Sequence, residues 1–147
     1  MQESMHMLLY RAFHAQRNIL RPYMRTLGLG TGQPKLIAYL AANGPCRQRD
    51  LADYFEVDPA AISRMVDSLE KGGFITVAPD KSNRRRKLLS ITDRGREAAE
   101  AWMAKRAQVE EIMLGGFSPE ERDAFSTYLA RALQNYVRWK EEHPCET

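Results

Sequence analysis

The segment at residues 58–91 constrains the fold of this chain more than any other part of the sequence. Asp58 followed by Pro59 is typical of an N-cap and the first position of a helix. Four apolar residues at helical spacing form the inner face of that helix, and they are Ile62, Met65, Val66 and Leu69. After the glycine pair at 72–73, two short apolar runs at 74–78 and 88–91 flank a basic loop. This order predicts a helix followed by a β-hairpin with a charged tip.

The rest of the chain is predicted to be helical. Thr92 and Ser118 are expected to cap helices, and Ser118 with Glu121 has the pattern of a capping box. Pro22 removes one hydrogen bond from the first helix and is expected to kink it. We predict helices at 6–26, 34–42, 47–55, 59–71, 93–114 and 119–143, with strands at 74–78 and 88–91. The fold class is therefore mostly α with a small β-wing, in the order α-α-α-α-β-β-α-α.

The first and last helices contain more apolar residues than packing within one chain requires. The apolar residues of the first helix are Leu8, Leu9, Ala12, Phe13, Ala15, Ile19, Leu20, Tyr23 and Met24. Those of the last helix are Phe125, Tyr128, Leu129, Ala132, Leu133, Tyr136 and Trp139. A helix that is apolar over so much of its surface usually packs on two sides. We expect one of these sides to contact a partner subunit.

Length and composition exclude several classes of protein. A chain of 147 residues is long enough for one domain with a buried core. No apolar run approaches the roughly 20 residues of a membrane span, and the first residues lack the pattern of a signal peptide. A cytoplasmic protein without a membrane partner is therefore expected. The three histidines have no metal-ligand spacing, and no phosphate loop or catalytic arrangement is present. We expect no metal, no cofactor and no enzyme activity.

The distribution of charge is more informative than the net charge of +3. Residues 81–96 contain seven basic residues and one acid, whereas from residue 110 onward eight acids outnumber four bases. A basic region confined to one segment is typical of a surface that binds phosphate.

The predicted helices at 47–55 and 59–71 have the lengths and the short connection of a helix-turn-helix. In that motif the second helix enters the major groove of DNA. Small residues at its start allow close approach to the bases, and the Arg64 side chain suits a paired contact with guanine. The basic loop of the hairpin is expected to contact phosphate or the minor groove. The candidate DNA-contacting residues are Gln48, Pro59, Ala60, Ala61, Ser63, Arg64, Lys81, Arg84, Arg85, Arg86 and Lys87.

Two other interpretations of this segment remain open. The helix at 59–71 alone is also compatible with an amphipathic helix that has a solvated polar face, and the basic run with a solvated turn. Clustered like charges repel each other unless an anion neutralises them, which favours double-stranded DNA as the partner. The alternative function is a winged-helix module that binds proteins or acidic partners without sequence-specific DNA recognition.

The segment QRDLADYFEVDPAAISRMVDSLEKGGFI, followed by PDKSNRRRKLLSITDRG, resembles the winged helix-turn-helix of the MarR family of transcription regulators. The order of helices on both sides is similar to that family along nearly the full chain. The wing of the family has an Asp, a second Asp three residues on and an Arg two further, before a T-x-x-G pattern. The residues at these three positions are Asp80, Asn83 and Arg85, and the resemblance implies that they stabilise the wing. Asn83 replaces the second acid, although an Asn also forms turns.

The resemblance implies a homodimer that binds a pseudo-palindromic operator, as a repressor whose affinity depends on a small effector. The whole chain, 1–147, is expected to form one MarR-like domain. Residues 1–30 and 93–147 would supply dimerisation helices, and residues 32–92 the DNA-binding region. Arg47 stands where the family often has a Thr or Ser cap on the third helix.

Members of the family often bind small aromatic acids between the dimer helices and the DNA-binding region. On that basis His14, Arg17 and Tyr39 are candidate contacts for the carboxylate or phenol of an aromatic effector. The alternative is that His14 and Arg17 are solvated and that Tyr39 belongs to the core. Cys46 and Cys145 have no metal-ligand spacing. For Cys46 the alternatives are an oxidant-sensing thiol and a buried, inert one.

Overall fold

A computed structural model describes residues 2–146, and it contains the predicted helices and strands in the predicted order. The helices are α1 (Met5–Thr26), α2 (Gln33–Asn43), α3 (Gln48–Phe55), α4 (Pro59–Lys71), α5 (Asp93–Met113) and α6 (Pro119–Glu142). The strands are β1 (Ile75–Pro79) and β2 (Lys87–Ile91), and a short 3-10 helix follows at Pro144–Glu146. The prediction of a mostly helical fold with a small β-wing is confirmed. The 3-10 helix was not predicted, because three residues carry no periodicity.

Two of the three predicted helix caps form hydrogen bonds with their side chains. The Thr92 hydroxyl accepts from the Gly95 N–H (3.1 Å), and the Ser118 hydroxyl accepts from the Glu121 N–H (3.1 Å). The Glu121 carboxylate accepts in return from the Ser118 N–H at 2.8 Å, which completes the capping box. Asp58 occupies the N-cap position of α4, but its side chain makes no cap hydrogen bond. There Pro59 leaves one N–H fewer to satisfy at the helix start.

The chain divides into two compact units, and the first extends to Val109. Its largest fully buried side chains all lie between residues 36 and 89: Leu36, Ile37, Leu40, Leu51, Ile62, Leu69, Ile75 and Leu89. These residues come from α2, α3, α4 and both strands, so the helices pack around one face of the hairpin. The predicted inner face of α4 is confirmed, with Met65 only partly buried.

The hairpin is antiparallel, with Ile75 opposite Ile91 and Val77 opposite Leu89. Leu89 also exchanges two backbone hydrogen bonds with Cys46, at 2.8 and 3.2 Å. Cys46, two residues before the start of α3, thus adds a third, one-residue strand to the sheet. This pairing was not predicted, because a single bridging residue has no sequence pattern of its own.

Gly95 allows the start of α5 to lie close to Phe74, the residue before β1. A Cβ atom at this position would lie 2.0 Å from the Phe74 carbonyl oxygen and 2.8 Å from Cγ1 of Ile91. That carbonyl also accepts the Thr92 N–H at 3.1 Å. The glycine of the T-x-x-G pattern is therefore required for close backbone approach and not for a positive φ.

The second unit starts at Glu110 and contains the end of α5, α6 and the 3-10 helix. Arg122 donates to the Glu111 carboxylate (2.8 Å) and to the Leu114 carbonyl (3.3 Å), which joins the start of α6 to the end of α5. No residue of α6 is buried within the described chain. In residues 2–146 we find no helix that is both long enough and apolar enough to span a membrane.

Candidate nucleic-acid interface

The helices α3 and α4 pack against each other across a three-residue turn. Glu56 closes α3 in the left-handed conformation (φ 52°), and the Val57 N–H donates to the Ala52 carbonyl at 3.1 Å. The buried side chains of Leu51 and Ile62 hold the two helices together. This arrangement is a helix-turn-helix, and it directs the other side of α4 away from the core.

The candidate DNA contacts of α4 lie on its accessible side. Pro59, Ala60 and Arg64 are exposed, whereas Ala61 and Ser63 are half-buried. The exposed first turn has no side-chain cap, so its N–H groups remain available to an anion such as phosphate. Gln48, the first residue of α3, is half-buried.

The tip of the wing is ordered by hydrogen bonds of two short polar side chains. The Asp80 carboxylate accepts from the N–H and hydroxyl of Ser82, at 2.9 and 2.8 Å. The Asn83 side-chain carbonyl accepts from the Arg85 N–H at 3.1 Å, which forms the turn expected of an Asn. Arg85 contributes its backbone only, because none of the ion pairs found in residues 2–146 includes its guanidinium. The stabilising role of the Arg85 side chain stays a prediction, since the observed wing contact of this residue is its backbone N–H.

Five basic side chains project from this ordered turn. We call them the wing cations, and they are Lys81, Arg84, Arg85, Arg86 and Lys87, all exposed. The hydrogen bonds from Ser82, and then the charge of Arg86, lower the pKa of Asp80, so this acid stays ionised at neutral pH. The wing cations nevertheless leave a strong positive excess at the tip, which suits a polyanion.

An ion pair at the start of α3 was missed in the sequence. The Asp50 carboxylate accepts from the backbone N–H of Arg47 (2.9 Å) and from its guanidinium (3.1 and 3.3 Å). These hydrogen bonds lower the pKa of Asp50 and raise that of Arg47. A guanidinium has no acceptor, so only half of a capping box forms here. The acid three residues after the N-cap was the available signal.

The two cysteines lie in different surroundings. Cys46 is buried beside the sheet, and this burial, with the nearby Asp50 charge, raises the pKa of its thiol to about 11. A thiol of this kind is protonated at neutral pH and reacts slowly, which favours the inert alternative. Cys145 is exposed in the 3-10 helix.

The first unit contains a cavity of about 390 Å³, between α1, α2 and α5. Of the three candidate effector contacts, only Arg17 lines it. His14 lies on another side of α1 and stacks on Tyr10 with 6.0 Å between ring centroids. Tyr39 packs against Tyr54 and Phe55, at 4.8 and 5.9 Å.

The sequence could not identify the other polar residues of this cavity. They are Gln16, Arg21, Thr31, Lys35 and Arg106, and they come from three helices and a loop. Helical periodicity shows which residues share one face, but it does not show which helices meet. No cluster of metal-binding side chains occurs in residues 2–146.

Comparisons with known proteins agree with the helix-turn-helix and the wing described above. Residues 32–87 match the MarR family. The Bacillus subtilis protein YybA, named as an uncharacterized HTH-type transcriptional regulator, is 30% identical over 78% of this chain and 76% of its own. The crystal structure of MarR superimposes with a TM-score of 0.82 at 27% identity, covering 96% of both chains. The structure of Bordetella bronchiseptica BpsR superimposes with a TM-score of 0.77 at 26% identity, covering 90% of this chain and 94% of that one. DNA binding by BpsR is described as regulated by 6-hydroxynicotinic acid.

Proposed function

The chain belongs to the MarR family of transcription regulators, and we propose that it acts as a homodimeric repressor whose DNA affinity is set by a small effector. Its relatives are transcription regulators and not enzymes. Residues 32–92 would form the DNA-binding region, and residues 1–30 and 93–147 would supply the dimer contacts, within one functional domain. A repressor of this kind would act by occupying its operator.

The observation that carries the proposal is the combination of an uncapped, accessible α4 start with an ordered, cationic wing. Arg64 and Ser63 would contact base edges in the major groove, while Ala60 or Ala61 would meet a thymine methyl group. The wing cations would contact phosphates or the adjacent minor groove. Gln48, at the start of α3, would contact the DNA backbone.

The dimer is supported by apolar side chains that the described chain leaves exposed. On α1 these include Leu8, Leu9, Tyr10 and Phe13, each at least 47% exposed. On α6 they are Tyr128, Leu129, Leu133, Tyr136 and Trp139, each at least 43% exposed. Exposed apolar residues in this number on each of the two helices are typical of surfaces that a second copy covers. In such a dimer the two copies of α4 would lie about 34 Å apart, as a pseudo-palindromic operator requires.

The effector is supported by the cavity beside Arg17. A volume of about 390 Å³ is within the usual range for small-molecule sites. An aromatic or phenolic acid would bind between α1, α2 and α5, and would change the affinity for DNA by favouring one arrangement of the dimer.

A gel-shift titration against the DNA upstream of its own gene, at several salt concentrations, tests the DNA-binding proposal. Replacing one wing cation, as in Arg85→Gln, removes one phosphate contact from each subunit of the dimer, so it should weaken binding to all sequences and reduce the salt slope by about 1.8. Arg138→Gln on α6 is the charge-matched control and should leave the slope unchanged. Unchanged slopes for the wing variants would contradict the phosphate contacts.

The base contact is tested separately with a set of operators, each mutated at one base pair. Arg64→Ala should lose about 1–3 kcal/mol of discrimination at one position of each half-site and little at the other positions. If the protein binds no DNA even at low salt, a winged-helix module that binds proteins becomes the better proposal. Repression itself is tested with a reporter gene placed behind the operator.

A further inference from the structure

We propose that the cavity between α1, α2 and α5 binds a small molecule that carries two or more negative charges on an apolar body. This inference rests on the proposed function, since it assigns a chemical class to the effector. It concerns the number of negative charges on the effector, which the proposal of an aromatic or phenolic acid leaves open.

The cavity combines an apolar wall with a cationic rim. Leu20 and Met24 from α1 and Trp102 from α5 form the apolar part, and all three are at most 9% exposed. Phe13 and Phe55 add two aromatic rings. Such a wall suits a planar or otherwise apolar body of the size of one or two rings.

Four cations from three helices surround the same cavity. They are Arg17 and Arg21 on α1, Lys35 on α2 and Arg106 on α5, and none of the described residues that line the cavity carries a carboxylate. A single carboxylate pairs with one or two of these groups and leaves the others without a counter-charge from the ligand. A dianion or trianion neutralises more of them, so its binding relieves more repulsion.

Two of these cations lie over aromatic rings beside the cavity. The Arg17 guanidinium is 5.8 Å from the centroid of Phe13, and the Lys35 ammonium is 5.2 Å from that of Phe55. These cation–π contacts hold both charges near the cavity and leave their N–H groups available to donate.

The test is isothermal titration calorimetry of the full chain, without DNA, against three acids built on one benzene ring. The probes are benzoate, isophthalate and benzene-1,3,5-tricarboxylate, each at two salt concentrations. We expect the affinity to rise by about two- to fivefold with each added carboxylate, and the gain to shrink at high salt. Equal affinities for the three acids, or no binding of the tricarboxylate, would overturn the proposal.

Charge variants then locate the binding. Lys35→Gln and Arg106→Gln should each weaken the tricarboxylate by about two- to fivefold and affect benzoate less. Arg25→Gln is the matched control, since Arg25 is exposed on α1 and outside the cavity. Circular dichroism of each variant verifies that it is folded. If Arg25→Gln weakens the tricarboxylate as much as Lys35→Gln does, the assigned site is wrong.

The outcome is separable from that of the proposed function. A failed titration with an intact gel shift would reject the polyanion and leave the DNA-binding proposal standing. Conversely, if Lys35→Gln and Arg106→Gln lower the salt slope of DNA binding, these cations contact phosphate and the cavity assignment is overturned.

Discussion

The helices α4 and α6 are both amphipathic, but they differ in how far the chain itself buries their apolar residues. The 13 residues of α4 include three that are buried within the chain, Ile62, Val66 and Leu69. None of the 24 residues of α6 is buried within the described chain, and five of its large apolar side chains are at least 43% exposed. An apolar stripe therefore shows that a helix packs against something, but it does not show whether the partner is the same chain. In α4 the stripe forms part of the core, and we propose that it positions the residues that contact DNA; in α6 we propose that it forms the dimer.

The largest effect is expected from removing a side chain of the α4 core. Leu69 is fully buried, so Leu69→Ala should lower the free energy of unfolding by about 2–5 kcal/mol, through lost apolar burial and a cavity. Chemical denaturation measures this change. Leu133→Ala removes the same atoms from a side chain that is 59% exposed, and its cost should be confined to the dimer. Equal costs at protein concentrations far below the dimer dissociation constant would remove the distinction between the two helices.

The next effect concerns the apolar face of α6. Leu133→Glu combined with Tyr136→Glu should raise the dimer dissociation constant by about 100-fold or more, because four carboxylates would be buried in a symmetric interface. Sedimentation velocity over a dilution series measures it. Gln134→Glu, an exposed polar position of the same helix, is the control. A double variant that remains as dimeric as the control would show that α6 is not part of the interface.

A smaller effect is expected at the start of α5, where the backbone of Gly95 lies close to the Phe74 carbonyl. Gly95→Ala should destabilise the protein by about 1–3 kcal/mol, since the new Cβ displaces the Phe74 carbonyl and the hydrogen bond that it accepts from Thr92. Thermal unfolding measures the shift. Gly44→Ala is not a suitable control, because Gly44 has a φ of 79° and would be strained for another reason. The control is Ala104→Gly at an exposed position of α5, which measures how much the exchange of alanine and glycine changes helix stability where no neighbouring atom is close.

The smallest effect is expected from the ion pair at the start of α3. Asp50→Asn should lower the melting temperature at pH 7 by about 1–4 °C, because a half-exposed pair contributes little. The folded-state pKa of Asp50 is lowered, so its contribution is present above the unfolded-state pKa and is lost as the pH falls through the folded value. Melting curves from pH 7 to pH 2 should therefore converge for the two proteins in acid. A constant difference across this range would show that the carboxylate charge is not involved.

The predicted interface of α4 and the wing came largely from local signals. The cap position at Asp58, the apolar spacing up to Leu69 and the glycines at 72–73 each act over a few residues. A sequence therefore shows them directly. The same holds for Asn83, whose turn forms between its own side chain and the N–H two residues on. The Arg85 side chain was assigned by resemblance alone, and it makes no ion pair in the described chain.

The sequence by itself determined the order of the helices and strands, the helix-turn-helix and the position of the wing cations. Each of these depends on periodicity, on capping residues or on a local run of charge. Only the tertiary structure decided that Cys46 pairs with Leu89, and that Arg17, Arg21, Lys35 and Arg106 surround one cavity. It also placed His14 and Tyr39 outside that cavity. The physical reason is that contacts between distant residues depend on how elements pack, and one helix's periodicity contains no information about its neighbour.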